Sequence, residues 1–259
     1  MFTIHRRPAA ILFAVAVCLL SFGTGGSGQD KAADDTSAVK PAERQDLGAK
    51  QMHAAFQSRA KKGNVDVLFL GDGITQGWIE AGGKVWTTRF GAWNAANFGL
   101  DGDRTQHVLW RIKDGKELDG IDPKVIVLLV GTSNLVSNSA DDVAAGVKAI
   151  VTELRGQKPK AKILLLGIFP RKGGKEEADL KTPNVAAADE LNPKPKQVNA
   201  KLAKLDDGQA VTFLDIGDKF LDASGGLSKA VMSDYVHLTE QGYTIWADAI
   251  SKPVEELLK

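Results

Sequence analysis

"VLFLGDGITQGW", Val67 to Trp78, is the stretch that decides the fold. Four apolar residues run straight into Gly71-Asp72-Gly73, and a helical pattern begins at Ile74. A run this apolar fits a strand buried on both faces, as in a parallel sheet covered by helices, and the glycines fit a tight turn at its C-terminal end. An α/β enzyme of this kind would present a nucleophile at that turn. Here the position is Gly73, which has no side chain.

Working outward, four more short apolar runs end in turn residues: "AANFG" from Ala95, "VIVLLVG" from Val125, "ILLLGIFP" from Ile163 and "VTFLD" from Val211. Between and after them the spacing predicts helices over Thr105 to Lys113, Ala140 to Gln157, Lys194 to Leu205 and Thr239 to Leu258. Another is expected over Ala42 to Lys62, with Leu47, Met52, Ala55 and Phe56 at roughly helical spacing. The alternation of strand and helix predicts a three-layer α/β/α sandwich with right-handed crossovers. Function in such sheets sits at the carboxyl ends of the strands. One connection breaks the regularity: Arg171 to Lys196 is polar and proline-containing, longer than the 12 to 15 residues or so of ordinary loops. It reads either as a lid over the active edge or as a solvated insertion.

The chain has 259 residues, 43% of them hydrophobic, enough for one sizeable core. Its net charge of +1, with lysines scattered among acids, gives no global attraction to nucleic acid or acidic membrane. At the N-terminus, His5, Arg6 and Arg7 precede an apolar run from Ala9 to Phe22 and then small residues. This predicts a secretory signal over residues 1–28, and hence a secreted or periplasmic protein. The alternative, a membrane anchor, needs a run of roughly 20 apolar residues, which this one does not reach. Lipoprotein attachment at Cys18 is disfavoured by Val17 before it, and signal cleavage would remove this lone cysteine. Residues 29–41 read as a disordered leader, with order expected from about Ala42.

Three strand ends and one late loop carry the chemistry: Gly71-Asp72-Gly73, "NFGLDGDRT" from Asn97, "GTSN" from Gly131, and "SDYVHLTEQGY" from Ser233. Asp234 and His237 are three apart, close enough for the carboxylate to orient the imidazole and stabilise its charged form. A lone Asp-x-x-His also fits a helix-entry aspartate beside a surface histidine.

Taken together with "LFLGD", "NFGLDGDRTQHVLWRI", "PKVIVLLVGT", "ILLLGIFPR" and "YVHLTEQGY", these residues resemble the SGNH or GDSL hydrolases, most closely the branch like the platelet-activating-factor acetylhydrolase catalytic subunits. The resemblance runs from Met52 to the C-terminus. It implies a flavodoxin-like parallel sheet of about five strands, in a domain spanning 42–259, and hydrolysis of esters or acyl groups without metal or cofactor. It also implies a serine activated by the Asp-x-x-His pair, with an oxyanion hole made by the serine N–H, a glycine and an asparagine. Carried over, the histidine falls on His237, the aspartate on Asp234 and the oxyanion glycine on Gly102. The serine falls on Gly73 and the asparagine on Ser133, with Asn134 as the substitute donor if the loop slips by one residue.

Both departures bear on mechanism. Without an Oγ no acyl-serine can form, and loss of a serine nucleophile costs roughly 10⁶ in turnover in a well-studied protease. Loss of an oxyanion donor costs about 10²- to 10³-fold. Thr75, two residues beyond Gly73, does not share its face of the turn. Glycine at 73 also suits a strand-to-helix turn and leaves the helix N-terminus open to an anion or carbonyl oxygen. Two functions compete. The leading one is a degenerate member that binds an acylated or carbohydrate-like ligand in the old pocket. The alternative is a weak ester or acyl hydrolase whose Asp234–His237 pair activates water. A nucleotide-cofactor site is disfavoured, because the first loop lacks a phosphate-cradling glycine pattern.

Overall fold

The computed structural model describes residues 37–172 and 191–259. The expected signal segment with Cys18, the leader up to residue 36, and residues 173–190 of the long connection lie outside the described residues.

Five strands form one parallel sheet: β1 (Val67–Gly71), β2 (Ala95–Gly99), β3 (Val125–Leu129), β4 (Lys162–Leu166) and β5 (Val211–Leu214). Their order is β2-β1-β3-β4-β5, the flavodoxin-like arrangement expected from the sequence. Register aligns Gly71 with Gly99 on one side and with Leu129 on the other. Three strand ends therefore deliver their loops to one edge, beside the switch point between β1 and β3, where a doubly wound sheet opens a crevice.

Alternation along the strands splits the core in two, because successive side chains point to opposite faces. Leu68, Leu70, Ile126, Leu128, Ile163 and Leu165 pack on one face, under α1 (Leu47–Lys61), α4 (Thr105–Lys113), α5 (Ala140–Gln157) and α6 (Lys194–Leu202). Val67, Phe69, Val125, Val127, Leu164 and Leu166 pack on the other, under α3 (Gly83–Phe90) and α7 (Glu240–Leu257). There Phe69, Trp78, Phe90, Tyr243 and Trp246 form an aromatic cluster, with Trp78 and Trp246 centroids 4.8 Å apart. The turn α2 (Gly73–Gln76) lies between β1 and this cluster.

Two expectations need correction. The first helix starts at Leu47, not Ala42, because Asp46 caps it by accepting the Ala49 N–H at 2.8 Å. Its inward stripe is Ala49, Met52, Phe56 and Ala60, while Leu47 is 70% exposed. Order also begins before Ala42. Ala38 is buried, its carbonyl accepts the buried Thr105 hydroxyl at 2.8 Å, and the Ala42 N–H donates to Gln106. The segment α3 gave no clear sequence signal, since its glycine, β-branched and aromatic residues have weak helix propensity. Packing of Val85 and Phe90 into the aromatic cluster sets it instead.

At the ends of the long connection, Lys172 and Leu191 form an isolated antiparallel bridge. Among the described residues, no helix is long and apolar enough to cross a membrane.

Candidate active site

The turn after β1 is clamped from four directions. Asp72 caps α2 by accepting the Ile74 N–H at 3.2 Å, and the buried Tyr243 hydroxyl donates to the Ile74 carbonyl at 2.7 Å. Asn97, on β2, donates from Nδ2 to the Thr75 carbonyl at 3.0 Å. The Thr75 hydroxyl is itself buried and donates to the Leu129 carbonyl at 3.4 Å. It therefore points into the sheet and away from any ligand.

Asp72 also accepts the Thr132 N–H at 3.3 Å, tying the loop after β1 to the loop after β3. Burial pushes its carboxyl up to about 7, against the pull of the Ile74, Thr132 and Gly131 N–H groups. Beneath the loop after β2 lies a second buried anchor. Arg111, on α4, donates from Nε to Asp103 at 2.8 Å, pairs with Glu117 through Nη1, and reaches the Gly71 and Phe98 carbonyls at 3.3 and 3.1 Å. Both carboxylates are fully buried. Burial raises Asp103 to about 6, while Arg111 and Arg44 favour its charged form. The arrangement fixes the Asp101-Gly102-Asp103 turn against the ends of β1 and β2. Gly102 has φ +76°, a left-handed conformation, and a Cβ there would also lie 3.2 Å from the Arg44 guanidinium.

A cleft of about 270 Å³ opens over this edge, lined by Asp72, Gly73, Asp101, Gly102, Thr132, Ser133, Arg171 and His237 among others. His237 comes from the loop before α7. Its Nδ1 lies 2.7 Å from Asp234 Oδ2, and the other Asp234 oxygen accepts the Val236 and His237 N–H groups at 2.9 and 2.7 Å. Desolvation opposes the Asp234 charge, but these bonds, the His237 ring first among them, outweigh it and hold the carboxyl far below the usual carboxylate range. Asp234 in turn holds the imidazole proton above its ordinary value of 6.5, with smaller help from Asp101 and Asp72. Both side chains stay about half exposed, so the pair is open to a ligand.

Of the residues singled out in the sequence, Gly73, Gly102, Ser133 and His237 thus share one cleft, with Asp234 behind the histidine. Asn134 does not join them. It is fully buried, accepting the Thr105 N–H at 2.8 Å and donating to Gln106 and Asn138 at 3.2 and 3.0 Å, so its amide is spent pinning α4 to the loop after β3. Two charged cleft residues were not anticipated. Arg171 is buried in the loop after β4, donating to the Thr132 carbonyl at 3.4 Å. Asp101 is exposed, with its carboxylate turned to Gly73: a Cβ built on Gly73 would overlap Asp101 Oδ1 and lie 3.3 Å from its Cγ. Asp101 directly precedes Gly102 in the sequence, but no local pattern says where its side chain points.

The sequence pattern of the GDSL-like Lipase/Acylhydrolase family matches residues 69–245, spanning every loop of this cleft. The chain belongs to that family. Human platelet-activating factor acetylhydrolase IB subunit alpha2 is 39% identical over 206 residues, covering 80% of this chain and 81% of the relative. The human alpha1 subunit is 34% identical over 216 residues, covering 82% and 86%. Among solved structures, a GDSL-like lipase from Bacteroides thetaiotaomicron superposes with a TM-score of 0.60 at 18% identity, covering 80% of this chain and 97% of that one, a likeness of fold. Membership in this family makes small-molecule esters the substrate class to which the cleft is related.

Proposed function

We propose that this GDSL-family chain binds an acyl ester, as a small molecule or an acylated carbohydrate, in the cleft over the β1–β3 switch point, and that it forms no acyl-serine. The observation that carries this reading is Gly73. The position at the end of β1 where the family resemblance puts the nucleophile has no side chain, and the neighbouring Thr75 hydroxyl is bonded into the sheet. Ser133, which lines the same cleft, would serve as a weak oxyanion donor in place of asparagine. The charged, apolar and small-residue order of residues 1–28 supports placing the protein outside the cytoplasm.

A second reading has its own support. The Asp234–His237 pair keeps hydrogen-bond geometry at 2.7 Å on the open wall of the cleft. That pair can move protons for direct attack by water, and acid–base catalysis alone contributes about 10²- to 10⁴-fold. One set of measurements separates the readings. A fluorophosphonate probe should leave the purified protein unlabelled, and stoichiometric labelling that His237→Ala abolishes would refute the absence of a serine route. Turnover of ethyl acetate and p-nitrophenyl acetate by the parent, beside His237→Ala, then decides between binding alone and hydrolysis by water.

A further inference from the structure

The space at Gly73 is not empty. Asp101 Oδ1 lies inside van der Waals contact of where a Cβ on residue 73 would be, so a carboxylate oxygen borders the space that a serine side chain would take. The backbone aims it there. The Asp101 N–H donates to Gln76 Oε1 at 2.8 Å, its carbonyl accepts Arg44, and the left-handed Gly102 reverses the chain directly after it. Among the described residues the carboxylate itself has no hydrogen-bond partner, and His237 lines the same cleft, close enough for Asp101 to favour its charged form.

We infer that Asp101 is a catalytic residue, the general base for water attack on a bound ester, with His237 as the general acid. The inference rests on the hydrolytic reading above and assigns its two proton-transfer roles. Water attacks the carbonyl carbon and gives its proton to the Asp101 carboxylate, while the carbonyl electron pair moves to oxygen beside the Gly73 and Gly102 N–H groups. As the tetrahedral adduct collapses, the bond to the alcohol oxygen breaks, and that oxygen takes the proton from His237. Acid and alcohol leave, and the proton on Asp101 passes to His237, restoring carboxylate and imidazolium. Direct attack by Asp101 is the poorer route. The adduct would expel the carboxylate, a far better leaving group than an alkoxide, and return to the starting ester. The role of acid suits His237, which bonds Asp234 and has the charges of Asp101 and Asp72 near it, with Arg171 near Asp234, and so keeps its proton above the ordinary imidazole range.

The test compares Asp101→Asn, Asp101→Ala and His237→Ala on ethyl acetate in a pH-stat and on p-nitrophenyl acetate. Asp101→Asn should lower kcat/KM on both esters by about 10²- to 10⁴-fold with the melting curve unchanged. Formate should restore part of the rate to Asp101→Ala, filling the space of the lost carboxylate, and none to Asp101→Asn, where the amide still occupies it. His237→Ala should harm ethyl acetate more than the nitrophenyl ester, because nitrophenolate departs without a proton. The inference is overturned if Asp101→Asn keeps turnover within about threefold of the parent while His237→Ala abolishes it; the hydrolytic reading then stands with His237 as base. It is also overturned if the parent turns over neither ester. In that case 19F NMR binding of an alkyl trifluoromethyl ketone, whose hydrate resembles the water adduct, decides the rest. Binding by the parent keeps the ester-binding reading, and absence of binding removes both.

Discussion

Restoring a serine at residue 73 probes the cleft most directly, and the structure says that one substitution is not enough. Gly73 has no left-handed φ, so its backbone accepts an L side chain. The obstacle is Asp101, whose Oδ1 would overlap the new Cβ and whose Cγ and Cα would each lie 3.3 Å away, tighter than ordinary contact. Because Asp101 is exposed, its carboxylate can swing aside, at about 0.5–1.5 kcal/mol for leaving its rotamer well. A carboxylate that stays nearby would draw the serine proton away from His237. Gly73→Ser alone should therefore remain nearly inert toward fluorophosphonate. Gly73→Ser with Asp101→Ala should label and exceed the single variant in short-chain p-nitrophenyl ester turnover by about 10²-fold or more, as expected for regaining a general base. Adding Ser133→Asn should raise turnover by up to a further 10²- to 10³-fold, roughly the worth of one oxyanion donor. In a stability cycle by chemical denaturation, the introduced serine and Asp101 should couple unfavourably by about 0.5–1.5 kcal/mol, the backbone effect of losing glycine cancelling between the two Gly73→Ser variants. If Gly73→Ser labels fully by itself and the cycle shows no coupling, Asp101 does not hold the space.

Three further outcomes follow from the packing and charge. Arg111→Met should destabilise the protein by about 3–5 kcal/mol in urea, because it strands the buried Asp103 and Glu117 carboxylates; a loss under about 1 kcal/mol would mean they are neutral or hydrated. His237 should titrate above 6.5 by NMR and fall back toward that value in Asp234→Asn. Since its folded value is raised, the stability that its proton contributes is fully present below pH 6.5 and is lost as the pH rises through the raised value; a His237 titration at or below 6.5 would contradict the pair geometry. A chain beginning at Ala42 should be less stable than one beginning at Gln29 by about 1–3 kcal/mol, because removing Ala38 leaves the buried Thr105 hydroxyl without its acceptor; equal melting curves would show that water replaces it.

The strands, most helix bounds and the family were readable from residues near one another in the chain. Apolar runs of four or five residues state where both faces of a strand are buried, and an Asp three residues before a His can bond it through local backbone alone, as Asp234 and His237 do. Those are short-range properties, fixed by steric periodicity and the reach of a side chain. What tertiary structure decided were contests between distant groups for the same buried partner or the same space. Asn134 was a plausible donor to a ligand until Thr105, 29 residues away, claimed its oxygen and Gln106 its amide. Ala38 reads as leader because its neighbours are polar, yet its side chain is buried and its carbonyl accepts the Thr105 hydroxyl. Asp101 reads as a turn residue, and only the approach of β2 to β1, aligned through Gly71 and Gly99, brings its carboxylate to the place that Gly73 leaves open. A glycine in sequence records a missing side chain, and the fold determines which neighbour moves into the gap.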